Sequence, residues 1–599
     1  MPYTKKPVIL SKNAEEVAKA RYFNNGEDWE ACVRRVAGSV ASVEKDKAGW
    51  TEKFGEMIYS MSFIGGGRIM RNAGVRSNAG LINCYHLGVG DSIREIGELM
   101  KSSLLVWSNG GGVGTNLSPL RPKGAPILGK GGVSSGLVSF LIALDHISET
   151  IESGGQRRAA GLASVEVSHP EIFDFIDSKT VHGDISHFNI SVMINDEFLE
   201  AVERNDDWDL KFNNKVYNTV KAKDLWDKIV YNMVHHAEPG LLNSSNLMKN
   251  NSWYYAPISG VNPCGEATLS ESESCVLGSL VLPNFITGSV NTNWQKLERV
   301  IKTAVRFLDN VIDVNLYDLR RIDEKSHEGR RIGLGAMGLA DYLFAKKIRY
   351  GSKEAIVETE RLVRFMRDVS YQASIELAIE KGSFPKFDPI MYGKSSFVRK
   401  LPGSVRMDIK KHGIRNVTLM SFAPNGSSSL LPEVCGGIEP LMFRSYRRKD
   451  RVSERVYIHP KYKELLLSGE PIPDWFVDMS DLQPRDHFEM QAAVQRWCDG
   501  SCSKTINCPV GTTEDQVSKY LLEYIHDLKG TTIYLDETRE GQVYNRLTEE
   551  EAFDIIANQT IGVEDGLQET DVDCNCVKQK DENGDEIEDS EVCEIPIKE

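Results

Sequence analysis

The chain has 599 residues, 41% of them hydrophobic and 26% charged, and a formal net charge of −15. That composition suits a folded protein with a substantial core. An acidic chain without a Lys/Arg block disfavours nucleic-acid binding as the main task. Free nucleotides, which need only a local anion site, stay open.

The N-terminus has no apolar signal core after Lys5 and Lys6, and no stretch approaches the length of a membrane span. A cytoplasmic protein with no membrane partner is expected. The 11 cysteines then lie in a reducing compartment, which argues against a disulfide framework. No CxxC pair is present, so a zinc ribbon is disfavoured and no metal site is expected from side-chain ligands.

Residues 1–60 are predicted to be a helical N-terminal segment. Ser11 is placed to cap a helix carrying Ala14, Val17, Ala18 and Tyr22 on one side. From about Gly65 short apolar runs punctuated by glycine take over, and Gly80–Leu87 and Asn416–Phe422 read as strands. Residues 355–381 read as a helix, with Leu362, Phe365, Met366, Val369, Ala373 and Leu377 on the helical period and Gly382 as its stop. Strands alternating with long helices over 61–547 predict a mainly α/β body. Beyond Thr548 the text turns polar and Lys578–Glu591 is dominated by Asp and Glu, so 548–599 is expected to be a mobile acidic tail carrying Cys574, Cys576 and Cys593.

Three motifs bear on chemistry. In Asn262-Pro-Cys-Gly-Glu266 a thiol and a carboxylate lie two apart, so an extended segment would turn Asn262, Cys264 and Glu266 to one face. Together they can abstract hydrogen, move a proton and orient a sugar hydroxyl; a Pro-Gly turn with an incidental buried cysteine is the bland alternative. The run Ser108-Asn-Gly-Gly-Gly-Val-Gly-Thr-Asn116 could bring backbone N–H groups to a nucleotide, a weak match taken alone. Ala423-Pro-Asn-Gly-Ser-Ser-Ser429 offers N–H and O–H donors to a phosphate, or is a polar surface turn.

Taken in order, these pieces resemble the large subunit of ribonucleotide reductases over Leu10 to Gly541. The series includes Gly66-Gly-Arg-Ile-Met-Arg-Asn-Ala-Gly74, Asn83-Cys-Tyr85, Gly154-Gly-Gln-Arg-Arg158, Arg331-Ile-Gly-Leu-Gly335, Gly437-Ile-Glu-Pro440 and Ser503-Lys-Thr-Ile-Asn507. The resemblance implies a ten-stranded α/β barrel with a central finger loop. It makes Cys264 the thiyl residue that takes the substrate's 3′-hydrogen, Glu266 the base at the 3′-hydroxyl and Asn262 the holder of the sugar. Cys84 and Cys275 become the reducing pair, ending as a disulfide. Asn83, Gly112 and Asn425, Gly426, Ser427, Ser428 and Ser429 fall beside the substrate, the last five as its phosphate cradle. The family more often reads Pro-Thr-Gly-Thr there, so Asn425 is a departure.

Asp91 and Ser92 fall where the family binds a deoxynucleotide effector across a homodimer; a helix N-cap is the lesser alternative for Asp91. Gln156, Arg157 and Arg158 match the loop that relays effector identity. Oxygen-dependent members take their radical from a ferritin-like partner through stacked tyrosines, but here Tyr534 is followed by Leu535. Glycyl-radical members need a C-terminal glycine loop that the text lacks. The resemblance therefore favours adenosylcobalamin as cofactor, with an oxygen-dependent subunit as the alternative and a glycine-rich dehydrogenase behind it. The family's N-terminal ATP-cone is expected to be absent. An external thioredoxin-like dithiol would re-reduce the enzyme through two of the tail cysteines.

Overall fold

The computed structural model describes residues 8–561 apart from 76–78, 128, 130, 154–156, 182–184, 289, 450–453 and 536–543. Three helices come first: α1 (Lys12–Arg21), α2 (Trp29–Val40) and α3 (Lys47–Tyr59). Each starts at a residue whose side chain accepts from a first-turn N–H: Ser11 from Ala14, Asp28 from Ala31 and Asp46 from Gly49. On α2, Trp29, Cys32, Val33, Val36, Ala37 and Val40 are buried, the spacing of one helical face.

Ten strands make the main sheet. They are β1 (Phe63–Gly65), β2 (Cys84–His86), β3 (Gly112–Asn116), β4 (Ala160–Glu166), β5 (Phe188–Ile194), β6 (Gly240–Asn243), β7 (Glu273–Val281), β8 (Ile332–Met337), β9 (Thr505–Cys508) and β10 (Gly530–Leu535). Helix α4 (Ile93–Ser108) joins β2 to β3, and α5 (Leu137–Glu149) lies between β3 and β4. Between β7 and β8 runs α6 (Trp294–Val314), and α7 (Lys353–Lys381) follows β8, spanning the helix expected over 355–381.

The sheet closes. Strands β2 to β6 pair in parallel succession, β6 pairs antiparallel with β10, and β10 pairs parallel with β9. On the other side β2 pairs antiparallel with β7, and β7 parallel with β8. The gap from β8 to β9 is bridged by residues 417–422: Leu334 N donates to Leu419 O at 2.8 Å, Phe422 N to Ser501 O at 3.0 Å and Ser503 N to Phe422 O at 2.9 Å. Nine strands and this segment thus form a ring of two parallel halves, each antiparallel to the other, while β1 pairs with β7 outside it. A closed ring leaves no unpaired edge.

Asn416–Phe422, expected as a strand, makes bridges but no ladder. Two of its N–H groups are diverted: Leu419 N and Met420 N donate to the buried Asp499 carboxylate at 2.9 and 2.8 Å. A carboxylate accepting backbone N–H groups is a stronger acceptor than a neutral carbonyl.

Residues 445–471 and 544–599 form a separate unit. Its described part is a three-stranded antiparallel sheet of Glu454–Ile458, Ser445–Lys449 and Tyr544–Arg546, with helices Pro460–Ser468 and Glu549–Ile561. The segment expected to be a mobile tail from 548 therefore begins as a helix, with Ala552 and Ile556 buried on one side of it. No described helix is long and apolar enough to cross a membrane.

Candidate active site

The strands Gly260–Val261 and Thr268–Leu269 pair as an antiparallel hairpin. Its tip is tied by Asn262, whose carbonyl accepts from Gly265 N at 3.0 Å and whose Oδ1 accepts from Ala267 N at 2.9 Å. Gly265 adopts φ +78°, open to glycine at no steric cost. The tip is a turn rather than the extended segment expected from the spacing. That corrects the single-face reading: Asn262 and Glu266 are buried, and Cys264 is exposed at the apex.

The hairpin lies inside the ring. Against β2 and β3, a β-carbon at Gly112 would sit 2.9 Å from Pro263 Cγ, and one at Gly114 1.8 Å from Val261 O. The buried His86 ring covers Gly260 in the same way, its Cε1 2.3 Å from a β-carbon built there. On the opposite wall Ser421 Oγ and Ser501 N donate to Glu266 O at 2.6 and 3.0 Å. The glycine-rich run gives close approach to protein groups as well as lining a cavity with Gly110, Gly111 and Gly112. Gly110 makes room for the Arg68 guanidinium, Gly111 for Tyr85 and Val106, and Gly112 and Gly114 for the hairpin. The dehydrogenase alternative loses its loop.

Beneath the tip, Asn262 Nδ2 donates to Cys84 Sγ at 3.2 Å, and the Cys84 thiol donates to Glu266 Oε1 at 3.7 Å. Glu266 Oε2 has no hydrogen-bond partner among the described residues. Burial raises the Glu266 carboxyl pKa, and backbone and Asn262 hydrogen bonds pull the other way. The Cys84 thiol is pushed well up by burial and then by the neighbouring Glu266, and burial does the same to Cys275. Both are thiols at neutral pH. Cys84 and Cys275 face one another across β2 and β7 in direct register. Opposed antiparallel residues lie about 4.5–5.5 Å apart at Cα, inside the span a disulfide requires.

One cavity gathers Asn83, Cys84, Gly112, Asn262, Cys264 and Glu266 together with Asn425, Gly426, Ser427 and Ser428. Cys275 and Ser429 do not line it: Cys275 packs with Ala267 and Leu269, and Ser429 is buried with its N–H donated to Asn425 O at 2.9 Å. Asn425 holds the loop's own shape. Its φ is +55°, its Nδ2 donates to Ala423 O and Ala336 O at 3.0 and 3.3 Å, and its Oδ1 accepts from Ser279 and Ser428. Asparagine tolerates that left-handed conformation better than most residues, which accounts for the departure at this position.

A second cavity shares only Pro263 and Cys264 with the first among the described residues. Asn189, Ser191, Glu238, Lys504, Thr532 and Tyr534 are among its lining. Lys504 is fully buried. Its ammonium donates to Glu439 Oε2 at 2.5 Å, His487 Nδ1 at 3.0 Å and Thr505 O at 3.1 Å, so the Gly437–Pro440 and Ser503–Asn507 motifs meet in an ion pair beside Cys264.

Asp91 and Ser92 lie at the start of α4. Ser92 is its N-cap, accepting from Glu95 N at 3.2 Å, so the capping role considered for Asp91 falls to its neighbour. Asp91 instead pairs with Arg121, whose Nε lies 2.9 Å from Oδ2 and whose backbone N donates to Oδ1 at 3.0 Å. Arg157 and Arg158 form a two-residue strand against Glu152–Ser153, and it is the latter that lies close to α4. Gln156 and the cysteines Cys574, Cys576 and Cys593 lie outside the described residues. Sequence reasoning missed Arg121, Lys504 as a cavity residue, and Tyr22, which reaches the first cavity from the C-terminal end of α1. None had a signal in spacing, since each meets its site across long stretches of chain.

The chain is similar to known proteins along most of its length. The family model described as ribonucleotide reductase, barrel domain, matches residues 82–534, and that described as ribonucleotide reductase, all-alpha domain, matches 9–78. A vitamin B12-dependent ribonucleoside-diphosphate reductase of Thermoplasma acidophilum is 32% identical over 84% of this chain and 67% of that protein. One of Mycobacterium tuberculosis is 33% identical over 89% of this chain and 80% of that protein. The ribonucleoside-diphosphate reductase subunit alpha of Chlamydia trachomatis is more distant, at 26% over 86% of this chain and 58% of that protein.

Proposed function

Because the chain belongs to the ribonucleotide reductase family, we propose that it reduces ribonucleoside diphosphates with adenosylcobalamin as its radical source. The observation that carries this reading is the position of Cys264, the one thiol exposed to both cavities among the described residues. One cavity holds Cys84 of the reducing pair and the acid–base group Glu266 for a ribose, and the other remains for a cofactor.

The residues present fit that cofactor. The second cavity ends on Cys264 and carries amide, hydroxyl and charged side chains, with Asn189, Ser191 and Glu238 placed to hold a nucleoside-like group and Lys504 held in its own ion pair behind them. When bound, adenosylcobalamin supplies a carbon radical able to oxidise a thiol. The neighbouring Tyr534 is followed by Leu535, so the stacked tyrosine pair of oxygen-dependent enzymes is incomplete.

The chain's own residues then do the following. Cys264, as a thiyl, takes the 3′-hydrogen of the ribose. Glu266 accepts the 3′-hydroxyl proton, for which a carboxyl with a raised pKa is well matched. Asn262 and Asn83 hold the sugar, and the loop Asn425–Ser428 takes the phosphates. Cys84, kept protonated by burial, gives its proton to the departing 2′-hydroxyl, which leaves as water. Cys275 re-protonates Cys84, and Cys84 gives a hydrogen atom to C2′ as the two sulfurs join in a disulfide. The remaining electron goes to the sugar while Glu266 returns its proton to the 3′-oxygen, and Cys264 returns its hydrogen to C3′ and becomes a thiyl radical again.

Regulation and re-reduction complete the reading. A deoxynucleotide binds near Asp91, Ser92, Gln156, Arg157 and Arg158 in a homodimer, with Arg121 adding a guanidinium beside Asp91. A thioredoxin-like protein renews the dithiol through the tail cysteines Cys574, Cys576 and Cys593. Incubating purified chain with CDP, dithiothreitol and adenosylcobalamin as the one added cofactor tests the core of this proposal. Deoxycytidine diphosphate is the expected product; its absence with cofactor present, or its formation without cofactor, overturns the reading.

A further inference from the structure

We infer that Tyr22, on the N-terminal helical segment, is a substrate-binding residue whose phenol donates a hydrogen bond to the phosphate end of the nucleotide. The inference rests on reading the first cavity as the nucleotide site. Tyr22 is 2% exposed yet lines that cavity, together with Gly66, Gly67 and the loop Pro424–Ser428. Its Cε1 lies 3.9 Å from a β-carbon built at Gly67, an ordinary contact distance.

The placement is heavily constrained. Arg35 Nη2 donates to Tyr22 O at 3.2 Å and to Met70 O at 3.2 Å, and Arg35 Nη1 donates to Ala73 O at 2.6 Å. One guanidinium therefore clamps the end of α1 to the short helix Gly67–Asn72, whose start forms the cavity wall. Glu27 holds that guanidinium in turn, 2.6 Å from Nε, with both side chains largely buried. Helix α1 also packs on the turn Ser428–Leu430, and its N-cap Ser11 donates from Oγ to Glu433 Oε1 at 2.7 Å. Of the ribose-facing groups, Asn262 and Glu266 sit on the hairpin and Cys84 on β2 beneath it. The wall built by α1 borders the cradle, which is the phosphate side.

A phenol O–H is a neutral donor that does not add a charge to be buried when the site is empty. Its hydrogen bond to an anionic oxygen is charge-assisted, and losing such a bond weakens binding about tenfold or more. The test compares wild-type chain with Tyr22→Phe, which keeps the ring and removes the hydroxyl. Calorimetric affinities for CDP and for cytidine, and KM and kcat for CDP reduction, are measured in parallel.

The expected result is at least about a tenfold weaker affinity and higher KM for CDP, with cytidine binding and kcat little changed, since the bond is made equally in ground and transition states. Equal weakening of CDP and cytidine would place Tyr22 on the base or sugar and overturn the assignment, as would unchanged CDP binding. Arg35→Met, which frees the clamp but keeps the phenol, should raise KM for CDP in the same direction, and circular dichroism checks that both variants are folded. If wild-type chain binds no CDP, the reading of the cavity itself fails, and the role of Tyr22 with it.

Discussion

Gly114 tests whether the hairpin's seat controls chemistry. In Gly114→Ala the new β-carbon would lie 1.8 Å from Val261 O and 2.9 Å from Val261 C, both backbone atoms that cannot rotate away. A carbon–oxygen contact needs about 3.3 Å, so the hairpin must retreat by roughly 1.5 Å or β3 must buckle. Overpacking of this kind costs about 1–3 kcal/mol. Displacing a reacting group by about 1 Å lowers turnover on the order of 100-fold. The variant should therefore fold with a lower urea midpoint, retain CDP binding through the cradle, and lose about 100-fold or more in kcat. Gly38→Ala is the control: nothing lies within 4 Å of its β-carbon, and it sits inside α2. It should gain about 0.5–1 kcal/mol through reduced chain entropy. Wild-type kcat in Gly114→Ala would refute the claim that β3 positions Cys264.

Cys264→Ser should abolish product while leaving CDP affinity nearly intact, because a hydroxyl's O–H bond is too strong to replace the thiol in hydrogen transfer; residual turnover measured by product chromatography would remove Cys264 from the mechanism. For Glu266 the raised pKa fixes the sign: its burial costs no stability below the unfolded-state pKa, and the cost grows as pH rises from there through the folded-state pKa, above which it is complete. Glu266→Gln should thus gain stability relative to wild type as pH rises in denaturant titrations, and lose about 100-fold or more in kcat together with the acid limb of the rate profile. Changing Cys574 and Cys576 together to Ser should preserve one turnover of pre-reduced enzyme but stop cycling with a thioredoxin-type protein, and a small dithiol should partly restore it; normal cycling would leave Cys593 as carrier or the tail without a redox role.

The chemistry was more legible in the sequence than the architecture around it. Cys84, Asn262, Cys264 and Glu266 stand in short motifs, and the structure brings these four to one cavity. What spacing could not reveal was the turn at Gly265, which sends Cys264 to the apex and its neighbours to the floor. The glycines from Gly110 to Gly114 read as ligand-approach text because a missing β-carbon signals close approach without naming what approaches. Here it is Arg68, Tyr85, Pro263 and Val261. At Asn416–Phe422 the strand pattern was correct for the side chains, but Asp499, some eighty positions away, captured two of the amides. Arg121 beside Asp91 and Tyr22 beside the cradle escaped for the same reason. Contacts of long sequence separation are set by the closed ring, and no local period encodes them.

The central claim is that two electrons for each product come from the thiols opposed across β2 and β7. It is tested most directly in a single turnover: pre-reduced chain, adenosylcobalamin and CDP with no external dithiol, followed by alkylation and peptide mapping. The account predicts a disulfide linking Cys84 to Cys275, appearing in proportion to deoxycytidine diphosphate, with Cys264 recovered as an alkylated thiol. Product formed while Cys84 and Cys275 both remain alkylatable would contradict it.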